Sequence, residues 1–157
     1  MDFKYEYDYE YNGGYTITGY RGNKTNIIIP DEIMGKPVKK IGKNAFNNNR
    51  NITSVTLGKN VDNIGAYAFE GCYSLGTVYW NHSGYSSIDS GAFLNCRKLR
   101  LICINSYIFT SVDELHKSDV KFEDYKYSKS NAVNSDIALR STIKPGYDSF
   151  EGCSSFK

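Results

Sequence analysis

The chain has 157 residues, of which 40% are hydrophobic, and its 19 Lys and Arg residues nearly balance its 17 Asp and Glu residues. This length suits one compact domain, and the hydrophobic fraction is enough for a core, which excludes a chain that is disordered throughout. The near balance of charge gives no electrostatic footprint for nucleic acid. Because no apolar run approaches the roughly 18 residues of a membrane-spanning helix, no membrane insertion is predicted.

A β-hairpin is predicted for residues 1–22. Aromatic residues alternate with polar and charged ones over residues 3–11, residues 12–14 read Asn-Gly-Gly, and the alternation resumes at Tyr15. This pattern is typical of two strands joined by a tight turn. The tyrosines could cap the apolar end of a following core or form a stacking platform for sugars, and the strand propensity of Tyr favours the cap. The segment lacks the basic and apolar regions of a signal peptide.

A six-residue phrase then recurs at a regular interval. Residues 41–46 (Ile-Gly-Lys-Asn-Ala-Phe) return at 64–69 and, loosened, at 88–93, so the phenylalanines are 23 and 24 positions apart. Self-similarity at this period predicts a solenoid of stacked coils. The Ala before each Phe lets neighbouring coils approach closely, and the Phe fills the interior. Gly42 and Gly65 are expected to adopt a positive φ in a tight bend.

Each coil is predicted to contain one short strand. The strands are recognised by alternate apolar residues, which are expected to face the core. These residues are Ile27 and Ile29, Val55 and Leu57, Val78 and Trp80, and Ile102 and Ile104. Between the first strand and the first phrase, residues 34–37 (Met-Gly-Lys-Pro) predict a small hairpin turn.

Three of the four cysteines occupy one slot of the repeat. Cys72, Cys96 and Cys153 each lie three residues after a phenylalanine, where the first copy has Asn49. A buried Asn or Cys at such a slot is expected to satisfy backbone donors, so the three thiols are predicted to be buried, structural and free of disulfides. Cys103 lies outside the pattern and is predicted to be a partly exposed thiol.

The period breaks after Ile104. The next segment is predicted to be a non-repeat insertion, with a short helix from Ser111 to about Lys117 and a strand over residues 120–127. A partial repeat then restores the frame. The predicted organisation is residues 1–22 as a hairpin cap, 23–104 as coils, 105–144 as the insertion and 145–157 as a partial C-terminal repeat, all within one compact domain.

No catalytic residue, metal ligand or cofactor site is predicted. His82 and His116 have no Cys or acidic residue at motif spacing, and both are expected at the surface. Neither a Cys-x-x-Cys pair nor a Gly-rich phosphate loop occurs in the sequence.

The outward face of the strands is the predicted binding site, because solenoids present such faces to partners. The outward positions are Asn26, Ile28, Ser54, Thr56, Thr77, Tyr79, Leu101 and Cys103. Tyr79 is the predicted anchor, since Tyr is enriched at binding hot spots. A solvated sheet without a partner is the alternative interpretation.

Three passages of the chain carry a family resemblance. They are residues 15–22 leading to 27–30, residues 35–38 leading to 41–42, and the repeated Ile-Gly-x-x-Ala-Phe-x-x-Cys with its following Leu-x-x-Val. These passages resemble the BspA-like, or treponemal-type, leucine-rich repeat family. The resemblance implies an α/β-type leucine-rich repeat solenoid, with short parallel strands and helical or irregular return segments.

Members of that family are typically bacterial surface or secreted proteins associated with adhesion and other protein contacts. The resemblance therefore implies a non-enzymatic protein–protein interaction or adhesion module, with a host or extracellular matrix protein as candidate partner. It also implies a location at the cell surface or outside the cell, with the cytoplasm as the alternative because no signal peptide is visible. Two other functions stay open: a structural spacer that presents residues 105–144, and a carbohydrate-binding surface module built on the hairpin.

Overall fold

The computed structural model describes residues 1–10, 13–82, 85–104, 107–111, 142–145 and 148–156. Their regular structure consists of twelve short strands, in this order: β1 (Phe3–Asp8), β2 (Gly14–Tyr20), β3 (Asn26–Ile28), β4 (Glu32–Ile33), β5 (Lys36–Ile41), β6 (Ser54–Leu57), β7 (Asn63–Ile64), β8 (Thr77–Trp80), β9 (Tyr85–Ile88), β10 (Leu101–Ile104), β11 (Tyr107–Phe109) and β12 (Thr142–Pro145). Within these ranges there is no helix that could cross a membrane.

The strands form two sheets, and each coil contributes one strand to each sheet. The first sheet has the order β11-β10-β8-β6-β3, in which β3, β6, β8 and β10 run parallel. These four are the strands predicted from alternate apolar residues, and all eight inward side chains are at most 2% exposed. The second sheet has the order β1-β2-β5-β7-β9-β12, with β4 paired to β5. The chain is therefore a solenoid of stacked coils, as predicted.

The return segments were predicted to be helical or irregular, and the helical form is wrong for the described residues, which have short strands and turns there. The turn in each coil holds two residues of positive φ, one two positions before the repeat phenylalanine and one two positions after it. They are Asn44, Tyr67, Gly91 and Asp148 before it, and Asn48, Gly71, Asn95 and Gly152 after it. Because the left-handed conformation interrupts a right-handed helix, no helix can run through these turns.

The role predicted for the glycines of the repeat phrase is also corrected. Neither Gly42 nor Gly65 has a positive φ. A Cβ on Gly65 would instead lie 2.8 Å from the carbonyl oxygen of Ile41, and one on Gly42 would lie 3.0 Å from the carbonyl oxygen of Ile17. Glycine is therefore required here because the backbones of neighbouring coils approach more closely than a side chain allows.

A column of stacked phenylalanine rings fills the core. The ring centroids of Phe46, Phe69, Phe93 and Phe150 follow one another at 5.0, 5.3 and 5.4 Å, and adjacent rings lie within 7° of parallel. All four rings are buried, which confirms the predicted filling of the interior. Offset stacking of this kind adds about 0.5–1.5 kcal/mol per pair beyond the burial of apolar area. The column thus links every coil to the next.

Both predicted hairpins are present. Strands β1 and β2 pair antiparallel, although residues 11–12 of their connection lie outside the described ranges. Strand β2 then pairs parallel with β5, so the hairpin lies at the edge of the second sheet, and its Phe3 and Tyr20 rings lie 6.5 and 6.1 Å from Phe46. Strands β4 and β5 pair across Met34 and Gly35, as predicted for residues 34–37.

The described parts of residues 105–144 belong to the two sheets. Strand β11 pairs antiparallel with β10 at the edge of the first sheet, and β12 pairs parallel with β9 in the second. The helix predicted from Ser111 and the strand predicted over residues 120–127 fall on residues outside the described ranges.

Candidate functional site

The eight predicted face residues form two straight rows across the first sheet. The pairing of β3, β6, β8 and β10 continues without a register shift from coil to coil. One row is Asn26, Ser54, Thr77 and Leu101, and the other is Ile28, Thr56, Tyr79 and Cys103. Every predicted position therefore lies on the outward side of one continuous surface.

The outward surface, called the strand face below, combines apolar and polar groups. Ile28 is 70% exposed and Tyr79 is 44% exposed, whereas the Cys103 thiol is half-buried, as predicted for that residue. At the start of the strands, the Asn26 side-chain oxygen accepts hydrogen bonds from the hydroxyls of Thr53 (3.0 Å) and Ser54 (2.9 Å). A protein surface with polar groups beside exposed apolar anchors resembles the surfaces that partners bind.

Ile108 extends the strand face and was missed by the sequence analysis, which placed it in the insertion. It pairs with Cys103 across β10 and β11, while the adjacent Phe109 pairs with Ile102 and is buried. The signal was present in the sequence. Residues 107–109 (Tyr-Ile-Phe) follow Ile104 after only two residues, the spacing of a tight hairpin.

The three repeat cysteines are buried, as predicted, and none of the four cysteines forms a disulfide. Each repeat thiol donates a hydrogen bond to the carbonyl oxygen of a phenylalanine in the preceding coil. The distances from Sγ to oxygen are 3.1 Å for Cys72 and Phe46, 3.0 Å for Cys96 and Phe69, and 2.9 Å for Cys153 and Phe93. In these hydrogen bonds the slot satisfies backbone acceptors, whereas the prediction was that it would satisfy backbone donors.

Cys72 and Cys96 have little nucleophilic character, whereas a hydrogen bond with the side chain of Cys96 lowers the pKa of Cys153. Burial raises the pKa of Cys72 to about 12, and a hydrogen bond with the backbone of Asn49 opposes that shift only in part. A hydrogen bond with the side chain of Cys153, together with burial, raises the pKa of Cys96 as well. Because the thiolate is the reactive form, Cys72 and Cys96 are inert near neutral pH.

His82 is buried, so its predicted surface position is wrong, whereas His116 lies outside the described ranges. The Nδ1 atom of His82 lies 3.0 Å from the carbonyl oxygen of Lys59, and its ring lies 6.2 Å from that of Trp80. The Trp80 indole in turn donates to the carbonyl oxygen of Val61 at 2.8 Å. Both rings thus reach carbonyl groups of the preceding coil. His82 is thus a structural residue.

Among the described residues, no group of three or more His, Cys, Asp and Glu side chains is placed to hold a metal ion.

Comparison with known proteins identifies the repeat. The family described as BspA type leucine rich repeat region matches residues 20–157 in six copies. The fold is similar to that of a leucine rich cell surface protein from Faecalibacterium prausnitzii A2-165, with 21% identity and a TM-score of 0.65. That match covers 99% of this chain and 34% of the other, so the chain spans about a third of that protein's length.

Two further crystal structures share the fold. A leucine-rich repeat protein from Bacteroides capillosus ATCC 29799 is 31% identical with a TM-score of 0.55, and the match covers 63% of this chain and 75% of the other. The T. pallidum leucine rich repeat protein is 20% identical with a TM-score of 0.57, covering 99% and 66%. No curated protein sequence matches the chain.

The family match covers most of the chain, and the stacked coils agree with it. The residues that carried the resemblance, such as the Ile-Gly-x-x-Ala-Phe phrase, form the inter-coil contacts and the aromatic column. The chain belongs to the BspA-type leucine-rich repeat family.

Proposed function

We propose that this chain is a non-enzymatic protein-interaction or adhesion module that binds a protein partner through its strand face. The observation that carries the proposal is the unbroken row in which Tyr79, 44% exposed, stands between Thr56 and Cys103. An exposed Tyr offers a large rigid contact area and a hydroxyl at low entropic cost, which is why Tyr recurs at hot spots. Ile28 and Ile108 provide apolar contacts toward the two ends of the same row.

We also propose a location at the cell surface or outside the cell. The similar F. prausnitzii protein is described as a leucine rich cell surface protein, and a host or extracellular matrix protein is the partner class that fits such a location.

The hairpin would close the first coil, since Phe3 and Tyr20 pack against the first ring of the aromatic column.

The arrangement of the hairpin rings gives less support to the carbohydrate-binding alternative than the tyrosine pattern of the sequence does. The ring of Tyr15 makes edge contacts with Tyr5 and Tyr7 at 5.2 Å, and Tyr7 contacts Tyr9 at 4.7 Å. These rings pack against one another and do not form a flat row. Tyr9, which is 86% exposed, is the hairpin tyrosine most open to a sugar.

Binding to immobilised proteins tests the proposal. The chain would be passed over a panel of purified matrix glycoproteins, collagens and serum proteins, and dissociation constants would be measured for each partner bound. Tyr79→Glu should weaken binding by about 30-fold or more, because a hot spot contributes at least about 2 kcal/mol. Tyr9→Glu is the matched control, since it makes the same substitution at an exposed hairpin position.

The controls separate the three functions. Equal affinity of wild type and Tyr79→Glu would refute binding through the strand face. Loss of binding on replacing residues 112–141 by a Gly-Ser linker would instead favour the spacer function. That deletion keeps β11 and β12, so the sheets stay complete. Loss of glycan binding in Tyr9→Glu alone would favour the carbohydrate function.

A further inference from the structure

A polar groove runs along the edge of the strand face, where the strands of the first sheet begin. It has a volume of about 340 Å³. The residues that line it are Thr53, Ser74, Gly76, Thr77, Lys98, Arg100 and Ser155. Thr77 also belongs to the strand face, so the groove and the proposed binding surface are continuous. Six of the seven lining residues carry a hydroxyl or cationic hydrogen-bond donor, a composition suited to a polar ligand. The hydroxyls of Thr53 and Ser155 already donate to Asn26 and to the carbonyl oxygen of Arg97, which leaves Ser74, Thr77, Lys98 and Arg100.

The surroundings of the groove are cationic. The segments that lead into β6, β8 and β10 (residues 47–53, 71–76 and 94–100) contain no Asp or Glu, although they include Arg50, Arg97, Lys98 and Arg100. The salt bridges found among the described residues join Lys39 to Asp62 and Lys59 to Asp31. Arg50, Arg97, Lys98 and Arg100 therefore have no carboxylate partner within the described ranges. Their charges reinforce one another and attract an anion.

Two of these cations are held in place by an aromatic ring. The guanidinium carbons of Arg50 and Arg97 each lie 5.1 Å from the centroid of the Tyr73 ring. Arg50 belongs to the coil before that of Tyr73, and Arg97 belongs to the coil after it. Cation–π contacts of this kind orient a guanidinium while leaving its edge free to donate. The same contacts occupy the Tyr73 ring, so it offers a sugar no open stacking platform. A planar carboxylate, by contrast, matches the guanidinium edge.

We propose that this groove binds the carboxylates of an acidic peptide segment of the protein partner. The inference rests on the proposed function and names the chemistry of the partner. Lys98 and Arg100 would neutralise the carboxylates, and the hydroxyls of Ser74 and Thr77 would donate to them. An extended segment that entered the groove would continue onto the strand face beside Thr77.

Fluorescence anisotropy with labelled hexaglutamate tests the groove directly, with hexaglutamine as the uncharged control peptide. The variant Lys98→Gln/Arg100→Gln should bind hexaglutamate about tenfold more weakly than wild type, since charge-assisted contacts are the strong ones. The matched control Lys36→Gln/Lys43→Gln removes two positive charges from exposed positions that do not line the groove, one in β5 and one in the turn after it, and it should bind like wild type. Higher salt should weaken hexaglutamate binding and leave hexaglutamine unaffected.

Three results would overturn the inference: no difference between hexaglutamate and hexaglutamine, equal weakening by both double variants, or binding of a sulfated oligosaccharide in place of the peptide. Equal binding of the two peptides would mean that the groove does not recognise carboxylates. Equal weakening by both double variants would mean that only the net charge of the protein attracts the peptide. Binding of the sulfated oligosaccharide instead would mean that the ligand is not a peptide. These failures are distinct from failure of the proposed function. Capture of a panel protein that depends on Tyr79 but not on Lys98 and Arg100 would uphold the strand face and refute the groove. Binding of hexaglutamate without capture of any panel protein would instead uphold the groove and count against the strand face.

Discussion

Adding one methyl group at Gly65 tests how closely the coils are packed. In the Gly65→Ala variant the new Cβ would lie 2.8 Å from the carbonyl oxygen of Ile41, 0.6 Å inside the 3.4 Å at which ordinary contact begins. It would also lie 3.0 Å from backbone atoms of Gly42 and Lys43, and backbone cannot rotate away as a side chain can. The two coils must therefore move apart.

The expected loss of stability follows from that movement. Overpacking costs about 1–3 kcal/mol. Separation also stretches the 2.8 Å hydrogen bond from the Gly65 amide to Ile41, which is worth about 1 kcal/mol. The lower entropy of the unfolded Ala chain offsets about 0.4–1 kcal/mol. We expect Gly65→Ala to lose about 2–3 kcal/mol, which corresponds to a fall in Tm of roughly 4–12 °C for a chain of this size.

Gly35→Ala is the matched control, because it makes the same substitution without a steric contact. Gly35 has φ +71°, and a Cβ there meets nothing within 4 Å, so only the left-handed backbone is penalised. That penalty should be about 1 kcal/mol. Urea unfolding followed by circular dichroism would measure both variants. If Gly65→Ala were no less stable than Gly35→Ala, close approach of the coils could not explain the glycine of the repeat phrase.

Four other predictions concern the core and the thiols. Phe69→Ala should lose about 3–5 kcal/mol on urea unfolding, because the ring is fully buried between two stacked neighbours; a loss below about 1 kcal/mol would contradict the aromatic column. A thiol reagent should modify only Cys103, which is half-buried, in the native protein, and it should modify all four cysteines in urea. The raised pKa of Cys72 means that its protonated form favours folding at and below pH 9, and that this stabilisation is lost as the pH rises from 9 toward 12. The stability of the Cys72→Ala variant should therefore fall less steeply than that of wild type over this pH range. Trp80→Phe should lose about 1–3 kcal/mol because the Val61 carbonyl is left without its indole donor, and native Trp80 fluorescence should shift to the red on unfolding.

The parts of the fold that burial determines could be predicted from the sequence. Val78 and Trp80 alternate with Thr77 and Tyr79, and a period of two leaves only one arrangement in which the apolar pair faces a core. The recurring phenylalanine then sets the register between coils. For this reason the sequence predicts which residues of β3, β6, β8 and β10 point outward, whereas Ile108 of β11 lies outside the repeat pattern.

The return segments could not be predicted in the same way, because they depend on backbone conformation. Asn48 and Gly71 are residue types that tolerate a positive φ, so the second left-handed position left a signal in the sequence. Tyr67 left none, since its type gives no preference for the φ of +57° that it adopts. His82 was misplaced for a related reason: its partner is the carbonyl of Lys59, and backbone acceptors leave no trace in a sequence.

The aromatic column has a consequence for how proteins of this kind can change in length. Within the column each phenylalanine ring stacks on the rings of the adjacent coils. The contacts that stabilise a coil are therefore made with its immediate neighbours. A whole coil could therefore be inserted or removed between Phe69 and Phe93 without redesign of either end. Each inserted coil would widen the first sheet by about 4.8 Å, the spacing of neighbouring strands. Reach toward a partner is thus adjustable in fixed steps, while the chemistry of each step is set by the residues of a single outward strand.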